Sequence, residues 1–163
     1  HFGLVGGGTS LEAMKALALE LGVADHVTFT GRVPDDEMLA MLNTADVCVN
    51  PDVANELNDQ STMNKVMEYM ALGKPIVQFD LREGRYSARQ ASLYAKRNDA
   101  FDFAAKIVDL LDDQQLRSQM GAYGRWRVEH ELEWRHEAPK LLVAYETLWR
   151  AAGVSQAARR AET

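Results

Sequence analysis

Through the first half of the chain, short continuous apolar runs alternate with stretches whose apolar residues recur at helical spacing. That alternation predicts an α/β fold, a parallel sheet with helices on both faces, because a helix usually fills each crossover between parallel strands. Phe2 to Val5 reads as a strand broken by Gly6, Gly7 and Gly8. Thr9 or Ser10 then caps a helix that runs to about Leu21 and stops at Gly22. Leu11, Met14, Leu17, Ala18 and Leu21 share its expected core face. Further strands are predicted at His26 to Thr30, Asp46 to Asn50, Ile76 to Phe79 and Ala91 to Ala95, with a helix from Asp35 or Asp36 to Asn43. A polar loop, Pro51 to Gln60, has a length that suggests function. The next helix is expected from Ser61 to Leu72, with Gly73 as its C-cap and Pro75 beyond, and with Met63, Val66, Met67, Met70 and Ala71 buried. After a short segment at Arg82 to Gln90 and the last strand, the pattern is helical: Phe101 to Leu111, Gln114 to Glu131, and Glu137 or Pro139 to Ala152. One domain, residues 1–152, is expected, followed by a frayed tail at 153–163 with no apolar face.

Composition narrows the class. At 163 residues and 47% apolar content the chain can bury roughly two-thirds of its unfolded surface without disulfides or metal. The single cysteine, Cys48, lies inside the apolar run Val47 to Val49, which fits a reducing compartment and a cytoplasmic location. A net charge of −6 argues against nucleic acid as a partner, and no apolar stretch is long enough for a membrane span. The opening residues lack the basic region and cleavage site of a signal peptide and read as a strand entered mid-chain, so a fragment of a longer protein is expected.

Two segments carry candidate chemistry. The turn Gly6, Gly7, Gly8 follows a strand and opens a helix, where backbone N–H groups favour an anion. A dinucleotide fingerprint would need a small residue at Leu11 and a carboxylate after the next strand, where Thr30 and Gly31 stand, so NAD is not expected. In the second segment, a helix starting at Ser61 puts Ser61, Asn64 and Glu68 on one stripe, with free N–H groups and hydroxyls at Ser61, Thr62 and Met63 cradling an anion. Glu68, two turns deeper, is placed to accept from a vicinal diol. The plainer reading makes Asp59 or Ser61 a cap and pairs Glu68 with Lys65 or Lys74. His1, His26, His130 and His136 show no ligand spacing, and no metal is expected. Trp126, Trp134, Trp149, Tyr123 and Tyr145 are expected to pack the terminal helices. Arg82, Arg85 and Arg89 face either an anionic substrate or Glu83 and solvent.

From Phe2 to about Trp149 the chain resembles the C-terminal, donor-binding domain of GT-B fold retaining glycosyltransferases of the family four type. The carrying residues are Leu4 to Gly8, Val27 to Pro34, Ala45 to Pro51 and Met67 to Val77, with Trp134 and Tyr145 to Leu148 near the end. The resemblance implies a Rossmann-like half of a two-domain enzyme with a helical C-terminal extension. It also implies transfer of a hexose from a nucleoside-diphosphate sugar to an acceptor hydroxyl. Glu68 would accept from the ribose hydroxyls; Ser61, Thr62 and Met63 would hold the diphosphate or sugar; Arg32 and Val33 would meet the base, beside Gly7 and Gly8. The family's other carboxylate, eight positions before Glu68, is Gln60 here. An amide there hydrogen-bonds a sugar hydroxyl but supplies no negative charge to an oxocarbenium-like centre. The family's basic diphosphate clamp, with the domain's first strand and helix, is expected ahead of Phe2. The missing N-terminal domain would supply the acceptor site and any peripheral membrane association, and this chain alone is expected to be inactive. No cofactor is implied, the nucleotide sugar being the substrate. Two alternatives stay open: a nucleotide-sugar binding or regulatory module without transfer, and a GT-B epimerase or phosphorylase.

Overall fold

The computed structural model describes residues 1–152, and the expected tail lies outside the described residues. Strands β1 (Phe2–Val5), β2 (Val27–Gly31), β3 (Cys48–Asn50), β4 (Ile76–Phe79) and β5 (Ser92–Ala95) alternate with helices. The helices are α1 (Leu11–Glu20), α2 (Asp35–Thr44), α3 (Glu56–Asp59), α4 (Asn64–Ala71), α5 (Arg82–Ala88), α6 (Ala100–Asp112), α7 (Gln114–Arg127) and α8 (Trp134–Ala151). Every strand pairing is parallel. The strands form two sheets rather than one, β1 with β2 and β3 with β4 and β5 in that order. Among the described residues, β1 and β3 each pair along one edge only.

The core lies around β4, all four residues of which are buried. Successive strand residues face opposite sides of a sheet. Val77 and Phe79 therefore pack with Leu81, Ala95, Phe103, Leu110 and Met120, while Ile76 meets Val66, Met70, Ala88 and Ala91. The Phe79 and Phe103 rings meet edge to face with centroids 4.9 Å apart. Burying each large apolar side chain such as Met70 or Ile76 contributes roughly 1.5–3 kcal/mol, and both are fully buried.

Several local expectations change. α4 starts at Asn64, not Ser61, because Ser61 and Thr62 spend their hydroxyls on neighbours: Ser61 Oγ donates to Leu57 O at 2.6 Å and Thr62 Oγ1 to Glu83 Oε1 at 2.8 Å. The polar loop contains α3, capped by Asn55, whose side chain accepts from the Asn58 N–H. The second strand begins at Val27, His26 ending a 3₁₀ turn, and the third begins at Cys48. Ser10 makes no side-chain cap, and Pro34 rather than an aspartate precedes α2. Asp35, Asp36 and Glu37 occupy the first turn of α2, where the helix dipole favours them. Of the expected α1 core face only Ala18 is buried; Met14, Leu17 and Leu21 are exposed, since a two-stranded sheet is too narrow to cover them. Ala71 is exposed, one position beyond the buried Val66 and Met70 stripe.

Of the terminal aromatics, Tyr123 packs half-buried against the Met70 and Ile76 cluster, while the three tryptophans and Tyr145 are exposed. Trp134 is 66% exposed, Trp126 lies against His130 with ring centroids 5.2 Å apart, and no residue of α8 is buried. The buried side chain here is Arg127, at the end of α7. Its Nε donates to Ser87 O at 2.9 Å, its second guanidinium nitrogen donates to Tyr86 O at 3.1 Å, and it pairs with Glu131. These bonds tie the end of α5 to a π-helical turn at Val128–Leu132 that leads into α8.

Candidate functional site

The start of α4 carries open hydrogen-bonding groups. Met63 sits extended at its N-cap with no side-chain cap. The N–H groups of Thr62, Met63, Asn64 and Lys65 find no partner among the described residues. Unpaired N–H groups at a helix start attract anions. The Ser61 and Thr62 hydroxyl protons, expected as extra donors, are committed to Leu57 and Glu83.

Along α4, Asn64 and Glu68 stand one turn apart on the exposed face, while Ser61 falls outside the helix. The Glu68 carboxylate makes no hydrogen bond or ion pair among the described residues, its backbone carbonyl accepting from the Leu72 N–H at 3.0 Å. Its plain partners are engaged elsewhere: Lys65 Nζ lies 3.0 Å from Asp52 Oδ2, and Lys74 Nζ donates to Asn43 O and Ala45 O at 2.7 and 3.1 Å. Next to it, the Tyr69 hydroxyl is pushed up to about 12 by burial, with Cys48, Glu68 and Asp52 adding repulsion. It therefore stays a neutral donor at physiological pH.

Gln60 follows α3 as its C-cap, exposed, with its N–H bonded to Leu57 O at 3.2 Å and its side-chain amide without a hydrogen-bond partner among the described residues. It lines an open cleft of about 630 Å³ with Asn55, Glu56, Leu57 and Ser61. Asp59, which the sequence offers only as a cap, and Arg97 and Asn98, which it does not single out, fix this segment. Arg97 and Asn98 look like ordinary loop residues, and only the cluster Asn98, Asp99 after an apolar strand marks a turn.

The remaining expected site residues form a second group. Gly6, Gly7 and Gly8 line an open cleft of about 420 Å³ with Leu4, Val5, Thr9, Ser10, Leu11, Met14 and Phe29. Gly7 packs beside Arg32, where an added β-carbon would lie 3.6 Å from Arg32 Cγ, and Val33 follows half-buried. The structure thus brings Gly7 to Arg32, leaves Gly8 in the cleft with no such neighbour, and separately joins Gln60, Ser61, Thr62 and Met63 to the start of the helix bearing Glu68. No hydrogen bond or ion pair among the described residues links the two groups.

Two of the three arginines after β4 are committed to the protein. Arg85 Nε binds Asp80 Oδ1 at 2.7 Å and its guanidinium lies 4.2 Å from the Tyr94 ring centroid. Arg89 pairs with Glu131 at 3.7 Å. Glu83, the expected plain partner, instead accepts from Thr62 and Ser87. The hydrogen bond from Arg85 holds the Asp80 carboxyl below the usual range against the opposing effect of its partial burial, and the charges of Arg85 and Arg97 add to it. Among the described residues no three His, Cys, Asp or Glu side chains gather as a metal site, and no helix is long and apolar enough to cross a membrane.

Relatives share this arrangement of strands and helices. The family described as group 1 glycosyl transferases matches residues 1–113. A GDP-mannose-dependent alpha-(1-6)-phosphatidylinositol monomannoside mannosyltransferase of Mycobacterium tuberculosis is 33% identical over 142 residues, 85% of this chain and 37% of that protein. A 2-deoxystreptamine glucosyltransferase of Streptomyces kanamyceticus is 28% identical over 151 residues, 89% of this chain and 37% of that protein. Among solved structures, a sucrose-phosphate synthase from Thermosynechococcus elongatus superposes with a TM-score of 0.80 at 25% identity, covering 91% of this chain and 38% of that one. The chain thus spans little more than a third of the length of these relatives. With its parallel strands, flanking helices and long C-terminal helix it has the Rossmann-like fold of one half of a GT-B enzyme. By the match across its first 113 residues, the chain belongs to the group 1 glycosyl transferases.

Proposed function

We propose that the chain is the donor-binding half of a retaining hexosyltransferase that uses a nucleoside-diphosphate sugar. The observation that carries this reading is Glu68, whose carboxylate has no partner among the described residues, on a helix whose starting N–H groups are likewise unpaired among them. A carboxylate offers two acceptors to a ribose diol, and the N–H groups match a diphosphate. The transferase names of the relatives favour transfer over a binding module.

In the reaction the bond from the anomeric carbon to the diphosphate oxygen breaks and a bond to the acceptor oxygen forms on the same face. The acceptor proton passes to the departing diphosphate. Gln60 positions the sugar by hydrogen bonding, and catalysis rests on orientation and on donors aimed at the leaving group. No metal is assigned a role. In this reading the rest of the protein brings the acceptor and any membrane contact. The setting is cytoplasmic, supported by the lone buried thiol of Cys48.

Calorimetric titration of the whole protein with UDP, GDP and ADP, alongside Glu68→Ala, tests the site. One nucleotide is expected to bind, and the substitution to weaken it by tenfold or more, about 1.4 kcal/mol. No binding by any of the three, or equal affinity in the variant, overturns the reading.

A further inference from the structure

The segment that lines the larger cleft, Asn55 to Ser61, is gripped at both ends by one distant turn. At one end the Asn98 side chain pairs with the backbone of Ala54 as a strand neighbour would: Oδ1 accepts from Ala54 N–H at 2.6 Å and Nδ2 donates to Ala54 O at 3.1 Å. At the other end an Arg97 guanidinium nitrogen donates to Asp59 Oδ1 at 2.7 Å, immediately before Gln60, while Arg97 Nε donates to Asp80 O at 2.8 Å. Asp59 Oδ1 also accepts from the Arg82 N–H at 2.9 Å. One turn after β5 thereby joins the loops that follow β3 and β4.

The turn is itself held by hydrogen bonds. Asp99 N–H donates to Lys96 O at 3.1 Å, Lys96 N–H donates to Asp102 Oδ2 at 2.7 Å, and Asp99 caps α6. Asn98 takes φ 58, a left-handed conformation that Asn tolerates better than most side chains. That conformation accompanies the turn that presents its amide to Ala54. These contacts are polar and Arg97 is exposed, although the Ala54 side chain itself packs against the β4 core. They hold in place a short helix with few buried side chains of its own.

We infer that Arg97 and Asn98 are positioning residues that set the Gln60 segment for the donor, an inference that rests on the donor-site reading above. Preorganisation of this kind acts on ligand affinity more than on global stability, because it removes an ordering cost at binding. Arg97 works as a fork, which a lysine cannot reproduce.

The test combines amide hydrogen exchange across residues 54–63, nucleotide titration and thermal melting. The variants are Arg97→Gln, Arg97→Lys, Asn98→Gly and the Arg97→Gln/Asn98→Gly pair. Glycine keeps the positive φ while deleting the amide, so backbone strain does not confuse the result. In the paired variant exchange is expected to rise across the segment and nucleotide affinity to fall about tenfold through lost preorganisation. The melting temperature should move little, and Arg97→Lys should resemble Arg97→Gln rather than the parent protein. Unchanged exchange, or raised exchange with unchanged affinity in a protein that binds nucleotide, overturns the inference and leaves the donor site standing. Absence of nucleotide binding in the parent protein defeats the donor-site reading and this inference with it.

Discussion

Gly121 of α7 stands so close to Gly73 that a β-carbon at position 121 would lie 2.1 Å from the Gly73 carbonyl oxygen. Gly73 occupies the left-handed conformation that ends α4, at φ 67, with its N–H bonded to Met70 O at 2.9 Å. The helix bearing Glu68 is therefore seated by backbone against backbone at its C-terminal end. Gly121→Ala must push α7 away from that cap, and overpacking of this kind costs roughly 1–3 kcal/mol or more. Urea unfolding with an unchanged midpoint would contradict the contact.

Cys48 is buried at the start of β3, and burial pushes its thiol up to about 11 against a partial pull from Lys74. Its folded pKa is thus raised above the unfolded value of 9.0. The stability linked to the neutral thiol is full below that value and is lost as pH rises through about 11. Iodoacetamide at mildly alkaline pH is expected to label Cys48 in urea and to spare it in the native protein, read by mass spectrometry. Equal labelling would show the thiol to be open.

Asp80 has the opposite sign. Its folded pKa lies below its unfolded value of 3.8, first because Arg85 donates to it, so this contribution is present above that value and is lost as pH falls through the lowered one. The pair is half-exposed, and such pairs contribute about 0–1 kcal/mol. Arg85→Gln should lower the melting temperature slightly near neutrality and hardly at all in strong acid. A variant whose melting curve stays parallel to the parent at every pH would remove the pair from the acid response.

The uncovered α1 face makes a separate prediction. Leu17 and Leu21 are exposed, so Leu17→Glu and Leu21→Lys should change stability by no more than about 0.5 kcal/mol, as surface substitutions do. They should also reduce concentration-dependent association in sedimentation velocity, since exposed apolar patches mark interaction surfaces. A loss of several kcal/mol, comparable to about 2–5 for a buried leucine, would mean that these side chains are covered in solution.

Legibility in the sequence followed local chemistry. Ile76 to Phe79 reads as a strand from its composition and is one. Gly73 reads as a C-cap because few other residues accept its φ, and the helix ends there. The start of the same helix was misplaced by three residues, because a serine or threonine at a helix start is equally able to bond elsewhere, and Ser61 and Thr62 do. The α1 periodicity gave the right helix and the wrong burial for Leu17 and Leu21, since periodicity reports a face but not what lies against it. The aromatics expected to pack the terminal helices divide for the same reason: Tyr123 lies against the Met70 and Ile76 cluster, while Trp134 has the chemistry to pack and no described element covers it.

By itself the sequence determined the alternation of strands and helices, the β4 core and the place of Glu68 on a helix that Gly73 ends. These follow from side-chain polarity and backbone preference within a few residues. Tertiary structure alone decided that Lys65 and Lys74 turn away from Glu68, that Gly121 meets Gly73, and that Arg97 and Asn98 reach across to Asp59 and Ala54. Those contacts join segments as far as 48 positions apart, Gly73 and Gly121. Which polar group meets which is set by how the strands bring their following loops together, and no local pattern of residues records that.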